Sequence, residues 1–423
     1  MHRLHWARAW AAAMCLLASA WTAAQPLPTA RAEEVGLSSE RLNRIGSWIR
    51  SEVDAKRIPG AVVLVARNGK VVYHEAIGQQ DPASPRPIGR DSIFRIYSMT
   101  KPLVSVATMM YVEEGKLLLE APVARYIPAF ADVKVGVEKT DASGNKSLEL
   151  VAPRRPITVQ DLLRHTSGLT YGFFGNSLVK KAYNEARMAD DPTTAQYADH
   201  YAKLPLHYQP GSTWDYSVST DVLGRVLEVV SGKSLHATLK ERLLDPLGMK
   251  DTSFYVPESD RQGRIAEPLP DDRSIGINVS VFDPRVVRKL ESGGGGLMST
   301  ADDYARFAQM LLSGGTLDGK RYLSPKTLEF MTSDHLGATV AKTALYLPGP
   351  AYGFGLGFAT RLTGGEAAFA SAPGEYYWGG AGGTYFWVDP RTNLFVVFMM
   401  QSPKHRVPYR SVLRNMVYAA VER

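Results

Sequence analysis

Three serine–lysine pairs with the spacing S-x-x-K are the residues of this sequence whose types could do chemistry together. They are Ser98 with Lys101 in "YSMTKPL", Ser143 with Lys146 in "DASGNKS", and Ser177 with Lys180 in "GNSLVKKA". A serine hydroxyl is a weak nucleophile until a neighbouring base takes its proton, and a lysine amine can be that base. The string alone does not separate a reactive pair from two polar residues, so the context of each pair must decide.

Ser98 differs from the other two serines because an apolar helix follows it. Apolar residues recur at helical spacing from Met99 to Leu119, which predicts that Ser98 lies at a helix N-terminus. Residues i and i+3 share a helix face, so Lys101 would reach the Ser98 hydroxyl, and burial would disfavour its charged form. The N–H groups of the first turn would stabilise negative charge on a substrate oxygen. A capping serine beside an exposed lysine is the alternative at this point.

The other two pairs have a context that favours an exposed surface. Ser143 lies in a stretch without apolar periodicity, and Lys180 and Lys181 are expected on a solvated helix face. Competing motifs are absent from the sequence: no G-x-S-x-G occurs, and the glycines at 293–296 lack the Lys-Ser or Lys-Thr of a phosphate-binding loop. The nine histidines are scattered and no H-E-x-x-H occurs, so we expect neither a metal site nor a cofactor.

The elements that must position these residues follow from periodicity and turn signals. Two β-rich runs surround Asn68-Gly69, a strong hairpin signal, and further strands are predicted at 383–390 and 393–401. A helix at 409–423 closes the chain. Because strands lie at both ends and helices dominate the middle, we predict an α+β fold. Helices would sandwich one antiparallel sheet, and a helical domain would lie beside it.

The N-terminus is predicted to be a targeting segment rather than part of the fold. Basic residues precede an apolar, Ala-rich run with a small-residue cleavage site after Ala24, and the only cysteine of the chain, Cys15, lies within it. We therefore expect a signal peptide at 1–24 and an exported protein, periplasmic or secreted, without a stable membrane span after cleavage. The expected domains are an α/β domain at 25–110 and 285–423 and a mostly helical domain at 111–284, with a surface insertion at 132–156.

Several blocks in order carry a resemblance to a known family. "SIFRIYSMTKPLVSVATMMYVEEGK" resembles the first catalytic block of the serine β-lactamase and penicillin-binding-protein superfamily. "PITVQDLLRHTSGL", "PGSTWDYSVSTDVLGRVLEVVSG" and "YWGGAGGTYFWVDP" resemble later blocks of its class C β-lactamase-like branch, so the likeness covers about residues 35–420. The Tyr-x-Asn and Lys-Thr-Gly motifs of β-lactamases are missing. A lone Tyr216 and the string "WGG" stand in their places, which is similar to the family VIII carboxylesterases.

The resemblance implies a serine β-lactamase or transpeptidase-like fold and roles for individual residues. Ser98 would be the nucleophile, Lys101 its base, and Tyr216 a partner in proton transfer to the leaving alkoxide. Backbone N–H groups of Ser98 and Ala381 would form an oxyanion hole. The residues expected along the substrate-binding strand are Trp378, Gly379, Gly380 and Ala381, and those expected to line the pocket are Tyr97, Tyr171 and Phe173.

The glycines at 379–380 would let substrate lie flat on the strand edge; a β-bulge without catalytic role is the alternative. Trp378 would line the acyl pocket or simply pack, and the sequence leaves both open. The expected activity is hydrolysis of short-chain carboxylic esters, small-molecule substrates, through a Ser98 acyl-enzyme. A class C-like β-lactamase, a D-amino-acid peptidase and a non-enzymatic binding module are the alternatives. Without the motif-three lysine no cation would hold a substrate carboxylate, which favours neutral esters. The formal charge of +7 comes without a nucleic-acid-binding motif, so no nucleic acid partner is expected.

Overall fold

A computed structural model describes residues 25–84, 86–256, 258–276, 279–280 and 282–423. The predicted signal peptide and Cys15 lie outside these residues. The helices are α1 (Ser39–Asp54), α2 (Thr100–Glu113), α3 (Val159–Leu163), α4 (Leu178–Glu185), α5 (Thr194–Ala202), α6 (Ser219–Ser231), α7 (Leu235–Leu239), α8 (Asp245–Leu247), α9 (Ser259–Gln262), α10 (Ala301–Leu312), α11 (Pro325–Thr332) and α12 (Arg406–Ala419).

The strands are mostly short outside one large sheet. They are β1 (Gly60–Arg67), β2 (Lys70–Gly78), β3 (Phe94–Arg95), β4 (Val135–Thr140), β5 (Lys146–Val151), β6 (Thr213–Trp214), β7 (Ser274–Gly276), β8 (Val279–Ser280), β9 (Met298–Ser299), β10 (Thr316–Leu317), β11 (Lys320–Arg321), β12 (Ala341–Lys342), β13 (Tyr352–Phe354), β14 (Ala359–Arg361), β15 (Tyr376–Gly379), β16 (Tyr385–Asp389) and β17 (Leu394–Met400).

The large sheet joins the two ends of the chain. Its seven strands lie in the order β13-β14-β15-β16-β17-β1-β2, and each neighbouring pair is antiparallel. The predicted hairpin between β1 and β2 turns at Asn68 and Gly69, which have φ values of 52° and 75°. Two successive positive φ values are typical of the turn that an Asn-Gly pair favours. The predicted fold class, helices around an antiparallel sheet, is confirmed.

Helices cover both faces of this sheet. Alternate residues of β1 face two different hydrophobic clusters, so Val63 and Val65 pack with α1 and α12, whereas Val62 and Leu64 face the larger core beneath α2 and α10. A central strand buried on both faces needs apolar residues at every position, which explains why "AVVLVA" lacks the polar alternation of a half-exposed strand. Among the described residues, no helix has the length and hydrophobicity to cross a membrane.

Two predicted helices differ in their bounds from the observed ones, and two observed strands were not predicted. The helix predicted from Met99 to Leu119 is α2, which ends at Glu113, and a 3₁₀ turn at Tyr97–Met99 precedes it. The helix predicted from Tyr409 begins at Arg406, because a proline in the first helical turn is tolerated. The short strands β13 and β14 were not predicted, since three residues carry too little periodicity to be recognised.

The polar segment at 132–156 forms the hairpin β4–β5, and most of its residues are exposed. The following helix α3 begins with a capping box. Thr158 Oγ1 accepts a hydrogen bond from the Asp161 N–H at 3.2 Å, and Asp161 Oδ2 accepts one from the Thr158 N–H at 3.0 Å.

Candidate active site

Ser98 lies in the 3₁₀ turn Tyr97–Met99, two residues before α2 begins at Thr100. The preceding Tyr97 has a φ of 44°, a left-handed conformation that costs a non-glycine residue about 1–3 kcal/mol. The buried Tyr97 ring holds this conformation, since it packs edge-to-face on Phe282 at 5.6 Å. A Cβ on Gly382 would lie 2.5 Å from the same Tyr97 ring, so only glycine fits at that position. The strained turn presents Ser98 to a large cavity.

Lys101 lies in the first turn of α2 and is 1% exposed. Its Nζ donates to the Gly294 carbonyl oxygen at 2.6 Å and to the Tyr171 hydroxyl at 3.3 Å. The Tyr216 ring centroid lies 4.6 Å from the same Nζ. Burial raises the pKa of Tyr171 well above its usual value, with Asp221 adding to the rise, so its hydroxyl stays protonated. The lysine is therefore held among oxygen and aromatic acceptors rather than exposed.

Asp221 is a buried carboxylate that the sequence reasoning missed. It accepts hydrogen bonds from the Ser292 hydroxyl at 2.5 Å and from the Gly294 N–H at 3.0 Å. Burial raises the pKa of Asp221, and the nearby Lys101 ammonium opposes that rise. Gly294 thus connects Asp221 with Lys101, because its N–H donates to the carboxylate and its carbonyl oxygen accepts from the lysine. A Cβ there would lie 2.2 Å from Asp221 Oδ2, which explains one glycine of the 293–296 run. The glycine run at 293–296 was the sequence signal that could have pointed to the surroundings of Asp221, but it was considered only as a weak phosphate-binding loop.

Tyr216 connects the helical region to the sheet. It lies between β6 and α6, is 7% exposed, and its hydroxyl accepts a hydrogen bond from Trp378 Nε1 at 3.3 Å. The His165 ring packs against it with centroids 4.8 Å apart. Burial lowers the pKa of His165 well below its ordinary value, and the charge of Lys101 lowers it further, so this imidazole is neutral near pH 7. Tyr216 is therefore oriented by Trp378 and its aromatic neighbours.

The end of β15 passes close to the Ser98 turn. A Cβ on Gly380 would lie 2.5 Å from the Ile96 carbonyl oxygen, so glycine is required by close approach of two backbones. β15 pairs with β16 in regular register as far as Gly379 and Tyr385, and the Gly380 N–H donates to the Thr384 carbonyl oxygen at 2.8 Å. This geometry favours close approach over the bulge alternative. Trp378 both packs against Phe354 at 5.3 Å and orients Tyr216.

The cavity in front of Ser98 has a volume of about 880 Å³. Every residue predicted for the site except Lys101 lines it: Tyr97, Ser98, Tyr171, Phe173, Tyr216, Trp378, Gly379, Gly380 and Ala381. Tyr171 and Phe173 stack with ring centroids 4.9 Å apart. Lys101 lies behind this lining and contacts it through Tyr171 and Tyr216. Chain segments more than 250 residues apart in the sequence thus meet at one apolar, aromatic cavity, the usual form of a small-molecule site.

The other two serine–lysine pairs have structural roles. Ser177 caps α4, its side chain accepting the Lys180 N–H at 3.2 Å. The expectation that Lys180 is solvated is wrong: it is 3% exposed, and its Nζ lies 3.6 Å from Asp215 Oδ1. Lys181, the next residue of α4, is exposed, so of these two lysines only Lys181 reaches water. Ser143 lies in an exposed turn. Neither of these serines lines the cavity.

Histidine, cysteine, aspartate and glutamate side chains are the usual metal ligands of proteins. Within the part of the chain that the structure describes, no group of three or more comes close enough to hold a metal ion.

Comparisons with known proteins identify the family. The family model described as Beta-lactamase matches residues 45–419. The protein belongs to the β-lactamase family. This family member is 38% identical to Protein Rv1367c of Mycobacterium tuberculosis over 362 residues, which cover 84% of this chain and 88% of that protein. It is 30% identical to Esterase EstB of Burkholderia gladioli over 423 residues, which cover 94% of this chain and 100% of that protein.

A solved structure agrees with the sequence relatives. EstCE1, described as a hydrolase with promiscuous acyltransferase activity, superposes with a TM-score of 0.75 at 28% identity, covering 89% of this chain and 98% of that one. The predicted resemblance to esterases of the serine β-lactamase superfamily is confirmed. Family membership places the protein among the hydrolases of the serine superfamily.

Proposed function

We propose that this protein is a serine carboxylesterase that hydrolyses small, short-chain esters through a Ser98 acyl-enzyme and needs no cofactor. The observation that carries the proposal is the position of Ser98 at the wall of an aromatic cavity, with Lys101 buried behind it. The similarity to Esterase EstB and to EstCE1 supports an ester as the bond cleaved.

The acylation step uses the polar groups around Ser98. Lys101 Nζ takes the hydroxyl proton while Ser98 Oγ bonds to the ester carbonyl carbon. The tetrahedral intermediate then collapses, the bond from carbon to the alcohol oxygen breaks, and the Tyr216 hydroxyl donates a proton to the departing alkoxide. Lys101 restores the Tyr216 proton, since its Nζ lies beside that ring. Water repeats the same sequence on the acyl-enzyme and releases the acid.

The negative charge of the tetrahedral intermediate needs donors at a fixed position. In our proposal these are the backbone N–H groups of Ser98 and Ala381. The close approach of Gly380 to Ile96 supports this assignment, because it holds the end of β15 next to the Ser98 turn.

A β-lactamase is the nearest rival activity, and a D-amino-acid peptidase is the next. Both use the same acyl-enzyme chemistry, so the contacts with substrate must separate them. The Asn of the second β-lactamase motif is Val218 here, and the lysine of the third is Trp378, whose indole bonds Tyr216 instead of a substrate. These replacements favour an ester.

The test compares three substrates with two variants. Purified protein is assayed with 4-nitrophenyl butyrate, a chromogenic cephalosporin and a D-Ala-D-Ala peptide, and we expect ester turnover to be fastest. Ser98→Ala should abolish ester turnover, whereas Ser143→Ala, which alters an exposed serine of the same motif, should not change it. A fluorophosphonate probe should label Ser98. Unchanged turnover in Ser98→Ala, or a label on another serine, would refute the mechanism, and faster cephalosporin or peptide turnover would refute the ester assignment.

We also propose that residues 1–24 direct export and are then removed, so that the enzyme acts in the periplasm or outside the cell. N-terminal sequencing of protein recovered from those compartments should begin near Gln25. Exported protein that begins at Met1, or protein that stays in the cytoplasm, would contradict this proposal.

A further inference from the structure

Two arginines at the start of α12 line the wall of the cavity. Arg406 and Arg410 are separated by four residues and therefore share a helix face. Both are half-buried. The other charged residues of the lining are Arg288 and Glu366, which are exposed, and Asp221, whose carboxylate is bound by Ser292 and Gly294. The part of the cavity next to α12 is consequently rich in positive charge.

Arg414, the next arginine on the same helix face, has its charge balanced by a buried glutamate. Arg414 is fully buried and binds both oxygens of Glu375, with Nη2 2.7 Å from Oε1, and its Nε donates to the Tyr385 hydroxyl at 2.7 Å. Its charge and its donors therefore have matching partners. Such pairing is the usual condition for burying an arginine in a protein.

Arg410 lacks this compensation. Its Nη2 donates to the Gly380 carbonyl oxygen at 3.0 Å, and its guanidinium lies over the Tyr385 ring at 5.0 Å. Among the described residues it forms no ion pair, and its Nε is buried without a hydrogen-bond partner. Burial lowers the pKa of Arg410, and the neighbouring Arg406 charge lowers it further. An anion placed between the two guanidinium groups would relieve both effects.

The position of Arg410 relates it to the reacting serine. A Cβ on Gly379 would lie 2.4 Å from Arg410 Nη2, so the glycine leaves the space that the guanidinium occupies against β15. Gly380, whose carbonyl holds Arg410, approaches Ile96 just before the Ser98 turn. The cation thus stands at the same strand edge as the proposed oxyanion donors. A helix from the end of the chain supplies the positive charge that the missing lysine motif led us not to expect.

We infer that Arg410, assisted by Arg406, is a specificity residue that binds a carboxylate carried by the ester substrate. The preferred substrates are then monoesters of dicarboxylic acids, or esters of carboxylate-bearing alcohols. Arginine suits this role because its planar fork of donors matches the two oxygens of a carboxylate. This inference rests on the proposed esterase function and replaces the expectation of neutral esters.

The test compares wild type and variants by the ratio of kcat/KM for an anionic ester to kcat/KM for its neutral counterpart. Differences in intrinsic reactivity between the two esters then cancel in the comparison. One pair of substrates is 4-nitrophenyl hydrogen glutarate and its methyl ester, with the carboxylate in the acyl part. The second pair is 3-acetoxybenzoate and its methyl ester, with the carboxylate in the alcohol part. For each pair kcat/KM of the anionic ester is divided by that of the neutral one, in wild type and in the variants Arg410→Gln, Arg410→Lys and Arg406→Gln.

In at least one pair, Arg410→Gln should lower this ratio by about 10- to 100-fold, the usual cost of removing a charged hydrogen-bond partner. Arg406→Gln should lower it less, and Arg410→Lys should retain part of it. Arg391→Gln is the matched control, because it removes the same charge from an exposed turn outside the cavity lining, and it should leave the ratio unchanged. Inhibition of neutral-ester turnover by glutarate, but not by glutaramide, gives a second readout in wild type.

The outcomes separate the two proposals. If wild type hydrolyses neutral esters but both ratios are unchanged in Arg410→Gln and Arg406→Gln, the carboxylate subsite is wrong and the esterase function stands. If Arg410→Gln does not fold, an unchanged ratio in Arg406→Gln together with equal inhibition by glutarate and glutaramide has the same meaning. If wild type hydrolyses none of the four esters, the proposed function itself fails, and the subsite fails with it.

Discussion

Replacing Tyr216 by phenylalanine tests the proton-transfer assignment with the smallest possible change. The substitution removes one hydroxyl oxygen and keeps the ring, which packs against His165 at 4.8 Å and lies 4.6 Å from Lys101 Nζ. The hydroxyl accepts a hydrogen bond from Trp378 Nε1 at 3.3 Å. The substitution therefore removes only that hydrogen bond and the proton that the Tyr216 hydroxyl would give to the departing alkoxide.

The two losses have different sizes. Stranding the buried Trp378 N–H costs about 1–3 kcal/mol of folding free energy. Removing a general acid lowers the rate by about 100- to 10,000-fold. We therefore expect Tyr216→Phe to fold, to melt a few degrees lower than wild type, and to lose at least 99% of its kcat/KM, with an unchanged circular dichroism spectrum.

Tyr376→Phe provides the matched control on β15. Tyr376 is 2% exposed, two residues from Trp378, and its hydroxyl is buried without a hydrogen-bond partner among the described residues. Removing it should leave kcat/KM within about threefold and should not lower the melting temperature, because an unpaired buried hydroxyl opposes folding. Both variants are assayed with 4-nitrophenyl butyrate. If Tyr216→Phe kept a tenth or more of wild-type kcat/KM, or if both variants lost activity equally, Tyr216 would not be the proton donor.

Two further predictions concern stability. Glu375→Gln should destabilise the fold by about 3–5 kcal/mol, because it leaves the fully buried Arg414 without its counter-charge. Glu329→Gln removes one partner of an exposed ion pair and should leave the urea midpoint of unfolding unchanged. Equal effects of the two substitutions would contradict this account. Burial raises the pKa of Asp303 to about 7. Between about pH 4 and pH 7 the folded protein therefore binds a proton at Asp303 that the unfolded chain does not bind. The stability that is fully present below about pH 4 is consequently lost as the pH rises through 7. Thermal melts from pH 4 to 8 should show Asp303→Asn gaining stability relative to wild type as the pH rises, and parallel curves would refute the assignment.

Much of the site was predictable from local patterns. The apolar helix after Ser98 distinguished one of three identical strings, and the later blocks with Tyr216 and Trp378 supplied the remaining positions in order. The hairpin at Asn68-Gly69 and the strands near the C-terminus predicted the antiparallel sheet. The helix, the hairpin and the strands follow from short-range conformational preferences and hydrophobic periodicity, whereas Tyr216 and Trp378 were assigned only through the resemblance to a known family.

Other groups were decided by the packing of distant segments. Asp221 is one of many polar residues in the sequence, and only its burial against Gly294 makes it part of the surroundings of Lys101. The same holds for Lys180, which local charge marked as solvated but which Asp215 draws inside.

Arg410 shows the difference most clearly. The sequence by itself determined the fold class, the candidate nucleophile and the loss of the β-lactamase lysine. It did not determine which cation would stand at that strand edge, because Arg410 lies 309 residues after Lys101 and reaches the site only when α12 packs on the sheet and Gly379 leaves room for its guanidinium. Patterns along the chain specify each element, whereas the juxtaposition of side chains depends on how the elements pack together.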